Sequence, residues 1–397
     1  MAEPTRMLHV LPSPFYGESE NAFNTVNKTY LGVSHTVVLP PRSWWHLDLP
    51  GHTWIAAVSE LQTRADEVIV APEGGKLSIE PTDVFCTVVY DVTEELVEKL
   101  FDFELADVPT VLWQMWRPET CDRSISVFGD RSRYVKDRKS FVQLCADATW
   151  SHSDAACLPM LDVGRLSAMA AKSSRFTVGL FFDPVLADGS GQSSSIMLSM
   201  LKPFVDRFSS GEALPAGSMR VVVPDCDAAR RLIQGSSTDG SGIAMVGDME
   251  LVLKPYRIGF DWMYGSVCDL VAYFPSKSRN EFGFLGASAM AMGKPTSFYR
   301  AEIGVRERTG CIPACVSESR KNVSHMEFSC TAELCRQIRW VHDNPDKARL
   351  LSAAAQFHSF RFDKDCNLGV FREAVDAART GLGGVWSKDW AFSRRTA

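Results

Sequence analysis

The sequence predicts an α/β protein with two doubly wound, mostly parallel sheets and C-terminal helices. Short apolar runs that end at Pro or Gly alternate with amphipathic runs along the chain, which is the order of strands and helices in a doubly wound fold. This alternation occurs twice, in halves of similar length, and 397 residues are enough for two domains. The last part of the chain is predicted to be helical.

The first half of the chain contains the first series of predicted strands. These strands lie at 7–14, 35–41, 84–92, 108–116 and 148–154. The run at 84–92 lacks alternation of apolar and polar residues, which indicates burial on both faces. A helix is predicted after it, because Leu96, Leu100 and Phe101 fall on one stripe. We therefore expect an N-terminal domain over residues 1–172.

The second half of the chain repeats the pattern. Its predicted strands lie at 176–182, 219–225, 249–253 and 269–276, and its predicted helices at 195–208 and 226–235. We expect a second domain of similar size over residues 173–362. Two domains of this kind place a ligand cleft at the carboxyl ends of their strands.

The C-terminal part of the chain is predicted to form helices. Leu334 and Ile338 have helical spacing, and Pro345 after an asparagine is typical of the start of another helix. The final segment, 363–397, is expected to be helical and to pack back on the first domain.

Composition excludes several classes of protein. The chain is 45% apolar and 23% charged, and its net charge of −6 argues against a surface coated in basic charge. No apolar run is long enough to cross a bilayer, and the first residues lack the pattern of a secretory signal. The eleven cysteines include no C-x-x-C pair, which favours free thiols in a reducing compartment. We expect a cytoplasmic protein without a metal.

The stretch FPSKSRNEFGFLGASAMAMGKPTSF at 274–298 carries the clearest functional signal. A predicted strand stops at Pro275, a polar loop follows, and a helix rich in Gly and Ala ends at Gly293. The amides and the positive dipole end at the start of such a helix favour an anion such as phosphate. Asn280 and Glu281, beside the helix start, are suited to bind sugar or ribose hydroxyls. On pattern alone, a tightly packed interior helix explains the stretch equally well.

Residues 268–299 resemble the donor-binding signature of retaining GT-B glycosyltransferases. The matching parts are Pro275-Ser276, Phe282-Gly283 and the run 289–295. The resemblance implies two Rossmann-like doubly wound domains facing across a cleft, a nucleotide-sugar donor with UDP-sugar favoured, no further cofactor, and a hydroxyl acceptor bound by the first domain.

The chain departs from that signature at several positions. The paired glutamates of the family, which hold donor hydroxyls, fall on Asn280 and Ser288, with Glu281 next to the first. The loop after 176–182 lacks the family's diphosphate-binding Arg and Lys, so Lys254, Arg257 and Arg300 are candidates in their place. The resemblance also places a glycine loop near the donor phosphates after the first strand. The candidate donor-binding residues are Gly17, Glu18, Lys254, Asn280, Phe282, Gly283, Phe284, Ser288 and Arg300.

The end of the strand at 108–116 supplies the acceptor candidates. It carries Trp113, Gln114 and Trp116, where many family members have a histidine, so no general base is assigned by analogy; Gln114 and Glu281 are the catalytic candidates. Seven basic residues follow within 117–139, which indicates either a solvated face or a site for a polyanion. The candidate acceptor-binding residues are Trp113, Trp116, Arg117, Arg131, Arg133 and Lys136.

The sequence leaves several functions open. The runs VLWQMW (111–116) and ADATWSHSD (146–154) loosely resemble strand ends of phage DNA α-glucosyltransferases, which makes hydroxymethylated DNA a candidate acceptor, since phosphates pair with bases and a flipped base stacks on tryptophan. A small molecule or glycan is the alternative acceptor. A third hypothesis is a binding protein related to these enzymes that has lost catalysis. A dinucleotide oxidoreductase is disfavoured because no G-x-G-x-x-G follows a predicted strand. The oligomeric state is not predicted.

Overall fold

A computed structural model describes the chain at residues 5–11, 23, 26–27, 29–42, 51–90, 99–103, 108–113, 141–144, 161–182, 203–204, 206–207, 214, 219–225, 229–230, 243–246, 249–254, 267–274, 283–300, 315, 321, 323–380 and 384–386. The chain divides into two compact units. The first comprises Met1–His46, Trp54–Leu161 and Phe362–Ala397, and the second Leu47–Thr53 and Asp162–Arg361.

The first unit contains a seven-stranded sheet in which every strand pair is parallel. Its strands are β1 (Arg6–Val10), β2 (Ser34–Leu39), β3 (Glu67–Val70), β4 (Val84–Tyr90), β5 (Thr110–Trp113), β6 (Phe141–Leu144) and β14 (Gly384–Trp386), in the order β14-β6-β5-β4-β1-β2-β3. β1, β2 and β4 are almost wholly buried, as their continuous apolar sequences predict. The strand predicted at 148–154 lies outside the described residues.

The second unit contains another seven-stranded sheet. Its strands are β7 (Phe176–Phe182), β8 (Met219–Pro224), β9 (Ile243–Val246), β10 (Met249–Lys254), β11 (Leu270–Phe274), β12 (Thr296–Tyr299) and β13 (Met326–Phe328), in the order β13-β12-β11-β7-β8-β10-β9. All pairs are parallel except β9 with β10. The two mostly parallel sheets confirm the predicted α/β class.

The described helices are α1 (Gly51–Gln62), α2 (Val163–Ala168), α3 (Phe284–Ala291), α4 (Thr331–Asp343), α5 (Pro345–Ser359) and α6 (Lys364–Arg379). The apolar stripe predicted for α4 is buried at Leu334, Ile338 and Val341, and α5 begins at Pro345 as expected. The helices predicted at 195–208 and 226–235 lie mostly outside the described residues. Among the described residues, none of the helices has the length and apolar character that a membrane span requires.

Each unit has its own apolar core. In the first, Leu8, Val38 and Phe101 belong to one buried cluster, and α6 packs on β4, β5 and β6 of the same unit. In the second, a larger cluster joins the sheet to α4 and α5 through residues such as Phe274 and Phe328. Each fully buried large apolar side chain contributes about 1.5–3 kcal/mol, so these clusters stabilise the strands that support the site described next.

Candidate functional site

The carboxyl ends of the parallel strands of the second sheet lie on one edge. The register pairs Phe274 of β11 with Phe182 of β7, and Lys254 of β10 with Pro224 of β8. Tyr299 of β12 pairs with Phe328 of β13. Ligands of open parallel sheets bind outside this edge, so the residues that follow these strand ends are the candidates for function.

Helix α3 begins at this edge, a short distance after β11. Gly283 is its N-cap, with φ 79° and ψ 51°, and as a glycine it has no side chain with which to cap the helix. L side chains rarely adopt this left-handed conformation, which explains glycine here. The first helical bond runs from Ala287 N–H to the Gly283 carbonyl at 2.9 Å. The preceding amides of the first turn point out of the helix, where the dipole favours an anion.

Small residues let α3 pack closely against the sheet of its own unit. A Cβ atom on Gly286 would lie 2.8 Å from Cζ of Phe298 and still closer to Cε1, so only glycine lets the helix approach β12 this closely. α3 also packs on β11, α2 and α5. The buried thiol of Cys315 donates a hydrogen bond to the carbonyl oxygen of Gly283, with 3.6 Å between sulfur and oxygen. The start of the helix is therefore held in a fixed position at the sheet edge.

Ser288 lies inside α3 and is 1% exposed. Among the described residues its hydroxyl has no hydrogen-bond partner. An unsatisfied buried hydroxyl costs about 1–3 kcal/mol, so a polar group that reached it would be favourable. Its role in donor binding stays a prediction.

Arg300 follows β12 and belongs to an ionic cluster around Glu327. Glu327 Oε2 lies 3.3 Å from Arg300 Nη1 and 3.0 Å from Lys321 Nζ. Its other oxygen, Oε1, accepts a hydrogen bond from His325 Nε2 at 3.3 Å. These contacts, the hydrogen bond from His325 first, lower the pKa of Glu327 to about 2. The cluster therefore holds a carboxylate that neutralises part of the positive charge beside β12.

Lys254 lies farther from the helix start than Arg300. In the sheet, β12 is next to β11, whereas β10 is three strands away from β11, which is about 14 Å. The Lys254 carbonyl accepts from the amide of Asp225, and the Asp225 carboxylate binds Arg230 at 2.6 and 2.7 Å. The strand order thus places Arg300, after β12, on the strand next to β11, and Lys321 joins it through Glu327 as a basic residue that the sequence did not indicate. Arg230 lies with Lys254 and Asp225, away from the start of α3.

Most other candidates lie outside the described residues. Trp113 is described as the last residue of β5, next in register to Tyr90 at the end of β4. The candidates outside the described residues are Gly17, Glu18, Gln114, Trp116, Arg117, Arg131, Arg133, Lys136, Arg257, Asn280, Glu281 and Phe282. Their assignments stay predictions.

A buried histidine pair in the first sheet was not predicted. The Tyr90 hydroxyl donates to His9 Nδ1 at 3.0 Å, and His9 Nε2 donates to His35 Nδ1 at 2.9 Å. His35 Nε2 in turn donates to the Tyr30 carbonyl at 2.9 Å. We infer these donor and acceptor roles because they satisfy every ring nitrogen with both imidazoles neutral. Burial, and next the proximity of His35, lower the pKa of His9 well below 6.5.

Within the described residues, no group of three or more His, Cys, Asp or Glu side chains is placed to hold a metal ion.

No protein-family model matches the sequence, and no curated protein matches it either. Several solved structures are similar to this one. HepE from Anabaena, solved with UDP and glucose, has a TM-score of 0.56 at 15% identity, over 94% of this chain and 100% of HepE. A glycosyltransferase from Rickettsia africae has a TM-score of 0.53 at 10% identity, over 96% of this chain and 99% of that protein.

A third similar structure is sucrose-phosphate synthase from Thermosynechococcus elongatus, with a TM-score of 0.50 at 10% identity. The match covers 94% of this chain and 100% of the synthase. Identities this low establish the fold and not the reaction. The chain has the fold of the GT-B glycosyltransferases.

Proposed function

We propose that the chain transfers a sugar from a nucleotide-sugar donor, a UDP-sugar, to a hydroxyl acceptor. The observation that carries this proposal is the start of α3 at Gly283, a glycine-capped helix end at the carboxyl edge of a parallel sheet. The fold supports it as well, because HepE, which shares the fold, has been solved with UDP-glucose.

The donor diphosphate is proposed to bind at the first turn of α3. The amides of Phe284 to Gly286 precede the first helical hydrogen bond, so they are the natural donors to phosphate oxygens. The absence of a side chain on Gly283 lets a phosphate approach the backbone closely. Arg300, which is 44% exposed while it contacts Glu327, is proposed to add positive charge on the neighbouring strand.

The same groups are proposed to assist the reaction. The bond from the sugar's anomeric carbon to the diphosphate oxygen breaks as the bond from that carbon to the acceptor oxygen forms. Negative charge grows on the departing nucleoside diphosphate, where fixed amide dipoles stabilise it. The acceptor proton passes to an oxygen of the leaving phosphate. This path keeps both partners on one face of the sugar, so we predict retention of configuration.

For the acceptor, we propose only its chemical class. The basic run at 117–139 favours a polyanion such as modified DNA, whereas a small molecule or glycan needs no such run. Mass spectrometry of hydroxymethylated DNA and of small acceptors, after incubation with mixed nucleotide sugars, separates the two. Transfer to small acceptors alone removes DNA from consideration. Donor binding without transfer to either favours an inactive relative, which the replacement of family glutamates by Asn280 and Ser288 also suggests.

Titration calorimetry tests the donor site. We expect UDP and UDP-sugars to bind the native protein and to bind Gly283→Ala about tenfold more weakly, because alanine is strained at φ 79° and relief of that strain moves the amides at the helix start away from the diphosphate. Gly74→Ala is the matched control, since Gly74 has φ 69°, with nothing within 4 Å of an added Cβ. It carries the same strain but lies in the first unit. Equal UDP affinity in the two variants contradicts the proposal.

A further inference from the structure

Helix α5 has an apolar face on the side away from its own unit. Its buried residues are Ala348, Leu351, Ser352, Ala355 and Ser359. On the opposite side Leu350 is 74% exposed and Phe357 is 80% exposed, and Phe360, just beyond the helix, is 51% exposed. A contiguous exposed apolar patch of several hundred Å² is often a functional contact surface.

The sequence of this face has two-fold symmetry. Leu350 and Phe357 lie at equal distances from the midpoint between Ala353 and Ala354, and about 10 Å apart along the axis. If a second copy of α5 packs antiparallel across that midpoint, Leu350 meets Phe357 of the partner subunit on both sides of the axis. The two alanines lie at the crossing point, where small side chains let helices approach closely. A surface that matches its own two-fold image is what a symmetric dimer requires.

Charges at the ends of the stripe fit the same axis. Asp346 and Arg361 are both exposed and lie at equal distances from the same midpoint, so the antiparallel arrangement places Asp346 opposite Arg361 of the partner subunit. Within one chain Asp346 contacts Arg349 at 3.1 Å, and both side chains of this pair are largely exposed, so the pair contributes little. Its rearrangement is no obstacle to the contact between copies.

We propose that this face, which we call the α5 stripe (Leu350, Ala353, Ala354, Phe357 and Phe360), is the two-fold interface of a homodimer. The exposed apolar area is about 400 Å² per copy, since large aromatic side chains contribute on the order of 150–250 Å² each when fully buried. With a polar rim, the interface reaches about 1,000 Å² in total, which is near the lower limit for a specific contact. The dimer is therefore weak and forms in the micromolar range. This inference does not rest on the proposed transfer reaction.

Analytical ultracentrifugation tests the proposal. Between about 1 and 100 µM, where an interface of this size dissociates, we expect the mass to rise from 44.0 kDa toward twice that value. Leu350→Glu and Phe357→Lys each weaken the dimer at least about tenfold. Leu31→Glu is the matched control, because Leu31 is 85% exposed and lies in the first unit. It leaves association unchanged.

Mixing the two stripe variants tests the register of the interface. In a mixed pair, the introduced carboxylate and ammonium face each other on one side of the axis, and the native Leu350–Phe357 contact remains on the other. We expect the mixture to dimerise more strongly than either variant alone. A native protein that stays monomeric to about 100 µM overturns the proposal, and so does a mixture that fails to recover. Binding of the monomer to phosphatidylserine vesicles that Leu350→Glu abolishes also overturns it, in favour of a lipid surface.

Discussion

Replacing Gly286 by alanine tests how tightly α3 is seated on β12. The added Cβ would lie 2.8 Å from Cζ and closer still to Cε1 of Phe298. The ring of Phe298 is 1% exposed and is held between Tyr273 and His325, with ring centroids 5.9 and 5.8 Å away. Since the ring has no free space to enter, the helix or the strand must shift.

The expected cost follows from two opposed terms. Overpacking a close-packed core costs about 1–3 kcal/mol, whereas alanine in place of glycine inside a helix gains about 0.5–1 kcal/mol. We therefore expect Gly286→Ala to lower the free energy of unfolding by up to about 2.5 kcal/mol, with about 1 kcal/mol as the central value, measured by urea denaturation. Gly164→Ala in α2 is the matched control, because nothing lies within 4 Å of the added Cβ, and it is expected to be neutral or slightly stabilising.

A double variant identifies the cause. Phe298→Leu removes the ring that the new methyl group would strike, so adding it to Gly286→Ala should cost less than the sum of the two single changes, by about 1 kcal/mol. Two results would contradict this account: a Gly286→Ala protein as stable as Gly164→Ala, or additive effects of Gly286→Ala and Phe298→Leu. Either would mean that α3 does not pack tightly against Phe298 and that this contact does not fix the helix start.

Two further predictions concern the dependence of stability on pH. The folded state holds the pKa of Glu327 at about 2, below its ordinary value of 4.5. The stability that this carboxylate contributes is therefore complete above pH 4.5 and is lost as the pH falls toward 2; we expect a loss of about 2 kcal/mol in the free energy of unfolding, a figure reduced because Arg300 and Lys321 are about half exposed. Glu327→Gln should abolish this loss in urea titrations. The pKa of His9 is lowered well below 6.5, so below pH 6.5 the unfolded chain binds a proton that the folded chain does not. The free energy of unfolding should therefore fall by about 1 kcal/mol over the first pH unit below 6.5. His9→Asn should flatten this dependence of the unfolding free energy on pH. An unchanged slope in His9→Asn means that another group titrates there.

The strands that sequence reasoning found are those with continuous apolar runs. β1, β4, β7 and β11 are buried on both faces, and their composition shows it directly. β12 was missed because its buried residues include Thr296 and Ser297, which are tolerated only through hydrogen bonds to the Lys294 carbonyl and to Gln337. β13 was missed because a charged residue, Glu327, sits at its centre and is stabilised by residues that no local pattern reveals.

The candidate site was predictable where it depends on local backbone chemistry. The run rich in Gly and Ala before Gly293 predicted a helix, and the structure confirms it as α3. The glycine N-cap at Gly283 was not predicted. The distance of Lys254 from it was not predictable, because strand order decides that β10 is three strands from β11. The His9 network was not predictable either, since its partners His35 and Tyr90 are 26 and 81 residues away in sequence.

A crystal structure with bound UDP tests the central claim most directly. We predict diphosphate oxygens within about 3 Å of the amide nitrogens of Phe284 to Gly286, with Arg300 close enough to share the charge. A diphosphate bound elsewhere, with the first turn of α3 closed off by side chains, would contradict the assignment of this helix start as the donor site.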